Sequence, residues 1–342
     1  MRWNPSGDDS RQKIDDYLEK TGNNKEAESY KKSKYDWNPK VDQDKILRVT
    51  KSSYGTFNWC AHQYYLEKFK GLRGEEQPHH VRGKNVHDMA EWFWNNFTLK
   101  DSVLKLIEQN NIDEAMELMH SAVPSPPEPY IYGEEEQITQ WVNWQFYRLV
   151  HSKGVNWEPV AVEPNIQASR YVEVDGEFIP IHMNGFIDSI FATDEGGFAP
   201  MELKTGKYKA RSKVPSMRKE LGFYKMMIEH SPHQEFLPVT NWGWEFPGGG
   251  MADGEGPTIF YEDAKKGGKY ALRSVEKGLV KLVKAHLEMD FAPSPWLGKK
   301  KEGETIEEML ANNRMKCSWC DHVEHCSFWS ITDEFLDEIM ED

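Results

Sequence analysis

The sequence predicts an α/β protein: a central mixed sheet flanked by helices, with a helical N-terminal part and a cysteine-bearing C-terminal tail. Three observations predict it. Apolar residues recur at helical spacing between about residues 52 and 151, and the period switches towards two near residue 158. Three of the four cysteines crowd into "KCSWCDHVEHC", while Cys60 lies 257 positions before Cys317 (317 minus 60). A chain of 342 residues with 38% hydrophobic side chains also sustains a packed core, which excludes a wholly disordered protein.

The elements follow in order. Residues 1–45 mix Lys, Asp, Glu, Asn and Ser without apolar periodicity and read as a polar, mobile arm with no chemistry of its own. In "SSYGTFNWCAHQYYLEKFKGL", Tyr54, Phe57, Tyr64, Tyr65 and Phe69 recur at helical spacing, with Ser52 or Ser53 as N-cap and Gly71 as the stop, so Cys60 is expected on a helix. A second helix covers "VRGKNVHDMAEWFWNNF", and further helical patterns near 101–120 and 134–151 are separated by "VPSPPEPY".

From residue 158 a meander of three or four strands is expected, broken by turn signals at Asp175-Gly176 and at Asp194 to Gly197. A helix over "PSMRKELGFYKMMIEH" starts at Pro215, followed by strands in "FLPVTNWGWEF" and "PTIFYED" around a glycine-rich loop at 248–256. A long helix from about 270 to 289 ends before "FAPSPW". This divides the chain into an arm (1–45), a helical part with Cys60 and His87 (46–157), a core (158–292) and a cysteine cluster with its tail (293–342).

Charge narrows the function. The formal balance is 42 minus 56, or −14, which excludes coating nucleic acid by bulk electrostatics. One local run is basic: Lys204, Lys207, Lys209, Arg211, Lys213, Arg218 and Lys219 occur without an intervening acid. No stretch reaches the length of a membrane span, and the N-terminus lacks the apolar centre of a signal peptide, so a cytoplasmic protein with no membrane partner is expected. Clustered cysteines in that compartment read as metal ligands rather than disulfides. No G-x-x-x-x-G-K-[ST] loop is present, so the chain carries no motor.

The chemistry centres on "GFIDSI" and "MELKTG". Strand alternation puts Glu202 and Lys204 on one face and Leu203 on the other. A three-residue connection, Asp194 to Gly196, pairs Asp188 with Glu202, whereas a two-residue turn puts the acids on opposite faces; the odd-length loop is the one expected. Two carboxylates on one face, with the Leu203 carbonyl nearby, offer the hard oxygen ligands that Mg²⁺ or Mn²⁺ prefers. On the preceding helix His87 and Glu91, four apart, present an imidazole and a carboxylate together.

The segments "SSYGTFNWC", "GKNVHDMAE", "GFID", "MELKTGK", "KELGFYK" and "CSWCDHVEHC", in that order over about residues 50–330, resemble the PD-(D/E)XK nuclease superfamily. In particular they resemble its RecB-type and AddB-type exonucleases with an iron-sulfur cluster, and the related CRISPR-associated spacer-acquisition nucleases. The resemblance implies a restriction-endonuclease-like core, with Cys60, Cys317, Cys320 and Cys326 holding a 4Fe-4S cluster that clips the first helix to the tail. Zinc on Cys317, Cys320, Cys326 and either His322 or His325 is the rival for that site.

Carried over position by position, the resemblance makes His87, Asp188, Glu202 and the Leu203 carbonyl the ligands of Mg²⁺ or Mn²⁺. Lys204 then orients the attacking water or helps deprotonate it. Where the family has Gln and, four residues on, Tyr, this chain has Glu220 and Tyr224, and its "PD" reads Ile187-Asp188. Lys207, Lys209, Arg211 and Lys213 follow the catalytic strand and become candidate phosphate contacts. Trp59, Tyr64, Trp92 and Trp94 are aromatic at helical spacing, which is the mark of core residues more than of base-stacking ones.

The function implied is metal-dependent cleavage of DNA with a free end or single-stranded region, by an exonuclease of repair, recombination or replication that works beside a helicase or recombination protein. A nuclease trimming DNA for CRISPR spacer integration is the close alternative. A non-catalytic DNA-binding scaffold subunit is the alternative of another class.

Overall fold

The computed structural model describes residues 46–326, except 75–76, 127–128, 152–154, 207–213, 233, 249–257, 295–296, 298–304, 306–307, 310–311 and 313–314. The polar arm, the glycine-rich loop from 249 onwards and the basic residues Lys207, Lys209, Arg211 and Lys213 lie outside the described residues.

Chain order is β1 (Leu47–Thr50), α1 (Lys51–Trp59), α2 (Ala61–Lys68), α3 (Pro78–Asn96), α4 (Lys100–Glu108), α5 (Ile112–Ser121), α6 (Glu134–His151), β2 (Val155–Val162), β3 (Asn165–Val174), β4 (Glu177–Phe186), β5 (Ser189–Thr193), β6 (Phe198–Leu203), α7 (Val214–His230), β7 (Asn241–Phe246), β8 (Thr258–Asp263) and α8 (Ala264–Glu288). Among the described residues no helix is long and apolar enough to cross a membrane. The described residues form two compact units, one within 46–75, 169–183 and 276–326, the other within 76–168 and 184–275.

The second unit is built on a five-stranded mixed sheet ordered β2-β5-β6-β7-β8. β6 runs antiparallel to β5 and parallel to β7. Every residue of β6 after Phe198 is buried, the charged Glu202 included, because β6 lies in the middle of this sheet. Phe93, Trp141, Phe146, Trp157 and Leu203 anchor a core shared by α3, α6, β2 and β6. On α7, Leu221, Phe223, Tyr224, Met227 and Ile228 are buried, and Gly222 allows a close approach, since a Cβ there meets the Ala271 Cβ at 3.2 Å.

The first unit contains β1, α1, α2, residues of α8 from 276 and the cysteine tail. Its centre is aromatic. Tyr64 and Phe291 stack at 6.0 Å between centroids, Phe69 lies 5.2 Å from Phe291, and the Tyr64 hydroxyl and His286 Nε2 are 2.8 Å apart. The β3–β4 hairpin turns at Asp175 and Gly176, both at positive φ, as an Asp-Gly turn of this length requires.

Four local expectations are corrected. The first helix begins at Lys51, because Thr50 and Ser53 form a reciprocal capping box ahead of the expected caps. Cys60 is not helical: at φ −152° and ψ 116° it breaks the segment into α1 and α2, closing one and opening the other. The expected meander is not one: its five strands divide between two sheets, β3 and β4 beside β1 in a three-stranded sheet ordered β1-β4-β3, and β2, β5 and β6 in the five-stranded sheet, where β2 pairs with β5. The 101–120 pattern is two helices parted at Asn110, which sits at φ 64°.

Candidate active site

Register decides the arrangement of the acids. Ser189 pairs with Met201, Ile190 with Pro200, Phe191 with Ala199 and Ala192 with Phe198, and Thr193 N–H closes the loop onto the Gly197 carbonyl at 2.8 Å. The connection is therefore the three residues Asp194 to Gly196, and one further step of the same register sets Asp188 against Glu202. Asp188 Oδ2 accepts the Leu203 N–H at 2.5 Å, tying the end of β6 to the start of β5.

Around Asp188 other groups converge. His87, on α3, places Nδ1 3.5 Å from Asp188 Oδ1 and 3.9 Å from Glu163 Oε1. His87, Glu163 and Asp188 each offer a ligand atom, all within 4.8 Å of one another. They line an open pocket of about 280 Å³ together with Glu91, Leu203 and Glu245. Burial by itself lowers the His87 pKa, but the hydrogen bonds His87 donates to Asp188 and Glu163, with the charges of Asp188 and Glu202, outweigh it and raise the pKa to about 10. The carboxylates thus make a place where positive charge is favoured.

On the far side of Glu202 the lysine is clamped. Lys204 Nζ donates to Glu202 Oε1 at 2.6 Å and to Glu220 Oε2 at 2.5 Å. Burial works against its charge, yet the two carboxylates hold it well above the usual lysine range, so it is a fixed cation. Tyr224, one turn on from Glu220, donates its hydroxyl to Glu202, and burial followed by the charges of Glu202 and Asp188 keeps it a phenol. Glu220 and Tyr224 share a helix face, as their spacing predicts, and the Glu at the family's Gln position engages the lysine directly.

Sequence reasoning missed Glu163. It reaches Asp188 because the ladder of the β3–β4 hairpin continues past its ends: Ile187 N–H donates to the Pro164 carbonyl at 3.3 Å and Glu163 N–H to the Asp188 carbonyl at 3.1 Å. Glu163 has φ 45°, a left-handed conformation rare for Glu that no sequence pattern signals. A buried network behind the pocket was also missed. Glu245 accepts from Trp141 Nε1 at 2.9 Å and pairs with Arg148 at 3.4 Å, and its carbonyl accepts the Lys204 N–H at 2.8 Å. Of the four aromatics considered, Trp94 packs on Trp141 and Trp157, Tyr64 is core, and Trp59 and Trp92 are 37% and 40% exposed.

The four cysteines line one open pocket of about 380 Å³ in the first unit, with Trp59, His62, Lys316 and Val323. All four are free thiols. Cys60 is turned to this pocket by the break between α1 and α2, and its Sγ accepts the Ser294 N–H at 3.4 Å. Cys317 and Cys320 stand at the two ends of a short 3₁₀ segment and Cys326 ends a second one. Burial, then the neighbouring thiols, push Cys317 up to about 11, and burial raises Cys320. His322 is buried with Nε2 3.5 Å from Glu67, and neither it nor His325 lines the pocket.

Comparison with known proteins fits this geometry. No curated protein matches the chain. The crystal structure of SSO0001 aligns over 93% of both chains at 10% identity with a TM-score of 0.33, a likeness too slight to argue from. The model of the PD-(D/E)XK nuclease superfamily matches residues 48–327, which include α1 to α8, the Asp188–Glu202–Lys204 strand pair and the cysteine pocket. This chain belongs to the PD-(D/E)XK nuclease superfamily.

Proposed function

We propose that the protein is a metal-dependent deoxyribonuclease acting as an exonuclease in repair, recombination or replication, of the RecB and AddB type. The observation that carries this reading is the convergence of His87, Glu163 and Asp188 ligand atoms beside a Glu202 already engaged by a lysine. One imidazole nitrogen and several carboxylate oxygens are a donor set suited to Mn²⁺ or Mg²⁺. His87, Asp188, Glu202 and the Leu203 carbonyl would hold the ion, with Glu163 added to them. Bound there, it supplies Lewis acidity and lowers the pKa of a water.

The chain's own residues do the rest. Lys204 keeps its charge and orients the nucleophile or faces the charge growing on the phosphate; it does not act as a base while two carboxylates hold its proton. Glu220 fixes the ammonium and Tyr224 fixes the Glu202 carboxylate. Lys207, Lys209, Arg211 and Lys213, which directly follow this strand in sequence, are proposed phosphate contacts. In the same reading residues 158–292 are the nuclease core.

Cys60, Cys317, Cys320 and Cys326 would bind a 4Fe-4S cluster, which ties distant parts of the chain together. All four line one pocket that neither His322 nor His325 lines, which supports the four-cysteine set over a Cys₃His zinc site. A reducing, cytoplasmic compartment fits such thiols.

The test is degradation of end-labelled single-stranded and duplex DNA with Mn²⁺, Mg²⁺ or EDTA by anaerobically purified protein and its Glu202→Ala variant. Metal-dependent cleavage that vanishes in the variant supports the reading. Binding without cleavage by the wild type replaces it with a scaffold role.

A further inference from the structure

The strand that leads to Asp188 ends on an exposed aromatic ring. Along residues 181–188 burial alternates, with Ile181, Met183, Gly185 and Ile187 inside and His182, Asn184, Phe186 and Asp188 on the more open face. Phe186 is 55% exposed at the very end of β4, and Asp188 lies two residues on in the bend before β5, where the buried Ile187 between them leaves Phe186 and Asp188 on the same, more open side. Two residues apart, their Cα atoms lie no more than about 7 Å from each other. The hydrogen bonds that set Glu163 against Asp188 fix this end of the hairpin, so the ring's base is held on the same ladder as the candidate metal ligands.

We propose that Phe186 is the platform on which a nucleobase beside the scissile phosphate stacks, and that it selects a strand whose base at that point is unpaired. A half-exposed Phe contributes little to the core, since most of its surface stays in water. An aromatic face at that distance from the acids accepts any base, as sequence-independent single-strand binding requires. A base inside a duplex is already stacked and paired, so only a single strand or a frayed end presents one. Trp92, 40% exposed, supplies the contrast: five positions after His87 on α3, it points about 140° away from His87 around the helix.

This inference rests on the nuclease reading, and the experiment separates the two. Affinity for a labelled single-stranded oligonucleotide is measured in Ca²⁺, and cleavage in Mn²⁺, for wild type, Phe186→Ala, Phe186→Trp and Trp92→Ala. Each is repeated on oligonucleotides with one abasic position stepped along the strand. Phe186→Ala is expected to weaken single-strand binding ~5- to 150-fold, the range for losing one stacked base. Phe186→Trp restores binding and Trp92→Ala leaves it intact. Wild type loses affinity at one abasic position and Phe186→Ala at none. Equal binding and cleavage by Phe186→Ala and wild type, with matching abasic profiles, overturns the stacking role alone. A wild type that neither binds nor cuts DNA overturns the nuclease reading and this inference with it.

Discussion

The Lys204 ammonium lies 2.5 Å from the Glu220 carboxylate. With Glu202 on its other side at 2.6 Å, the lysine is a pinned cation rather than a base in waiting. Lys204→Ala is expected to cut DNA cleavage by ~100-fold or more, the effect of removing one preorganised donor from a developing charge. Fluorescence anisotropy should show DNA binding unchanged. Full cleavage by the variant sinks the catalytic assignment.

Glu163 and Asp188 face His87 from one ladder. Glu163→Gln should weaken Mn²⁺ binding, read by calorimetry or electron paramagnetic resonance, by ~10-fold or more, and Asp188→Asn further still. Unaltered Mn²⁺ affinity in Glu163→Gln would return the metal set to His87, Asp188, Glu202 and the Leu203 carbonyl.

The cysteine pocket makes a composition test possible. Cys60→Ser should lose the visible absorbance, iron and acid-labile sulfide of anaerobically purified protein, while His322→Ala and His325→Ala keep them. Zinc in the wild type that survives Cys60→Ser but leaves with either His variant identifies the Cys₃His site instead.

His286 is buried neutral against Tyr64, and burial, with the nearby charge of Lys68, pulls its pKa down to about 3. The unfolded chain, with an ordinary His near 6.5, binds the extra proton first. This contribution is therefore fully present above about pH 6.5 and is lost as pH falls towards 3. Between pH 7 and 5 it amounts to about 2 kcal/mol. Denaturant melts of His286→Gln should show a shallower decline over that range, and a decline as steep as that of the wild type refutes the assignment.

Beside the His87 pocket Arg148 and Glu245 are a buried pair, their side chains 9% and 8% exposed. Arg148→Ala leaves the Glu245 charge with only neutral donors from Trp141 and Gln145, at an expected cost of ~3–5 kcal/mol in denaturant unfolding. Replacing both, as in Arg148→Met with Glu245→Leu, should recover most of that loss. A double variant no more stable than Arg148→Ala contradicts this account.

The sequence by itself determined the elements with strong periods and the chemistry they carry. The α6 bounds, the α7 helix and the Asp175-Gly176 turn follow from spacing and turn residues, because these are local effects. The pairing of Asp188 with Glu202 was legible too, since loop length sets hairpin register. Tertiary structure alone decided what depends on distant partners. Cys60 is extended rather than helical at the pocket shared with Cys317, Cys320 and Cys326, against the local apolar pattern. Glu163 becomes a neighbour of His87 only through a hairpin ladder that runs past its strand ends and a backbone angle no pattern encodes. Glu220 reads as a departure from the family motif until α7 packs it against Lys204. Periodicity reports which face of an element is buried; only packing reports what that face meets.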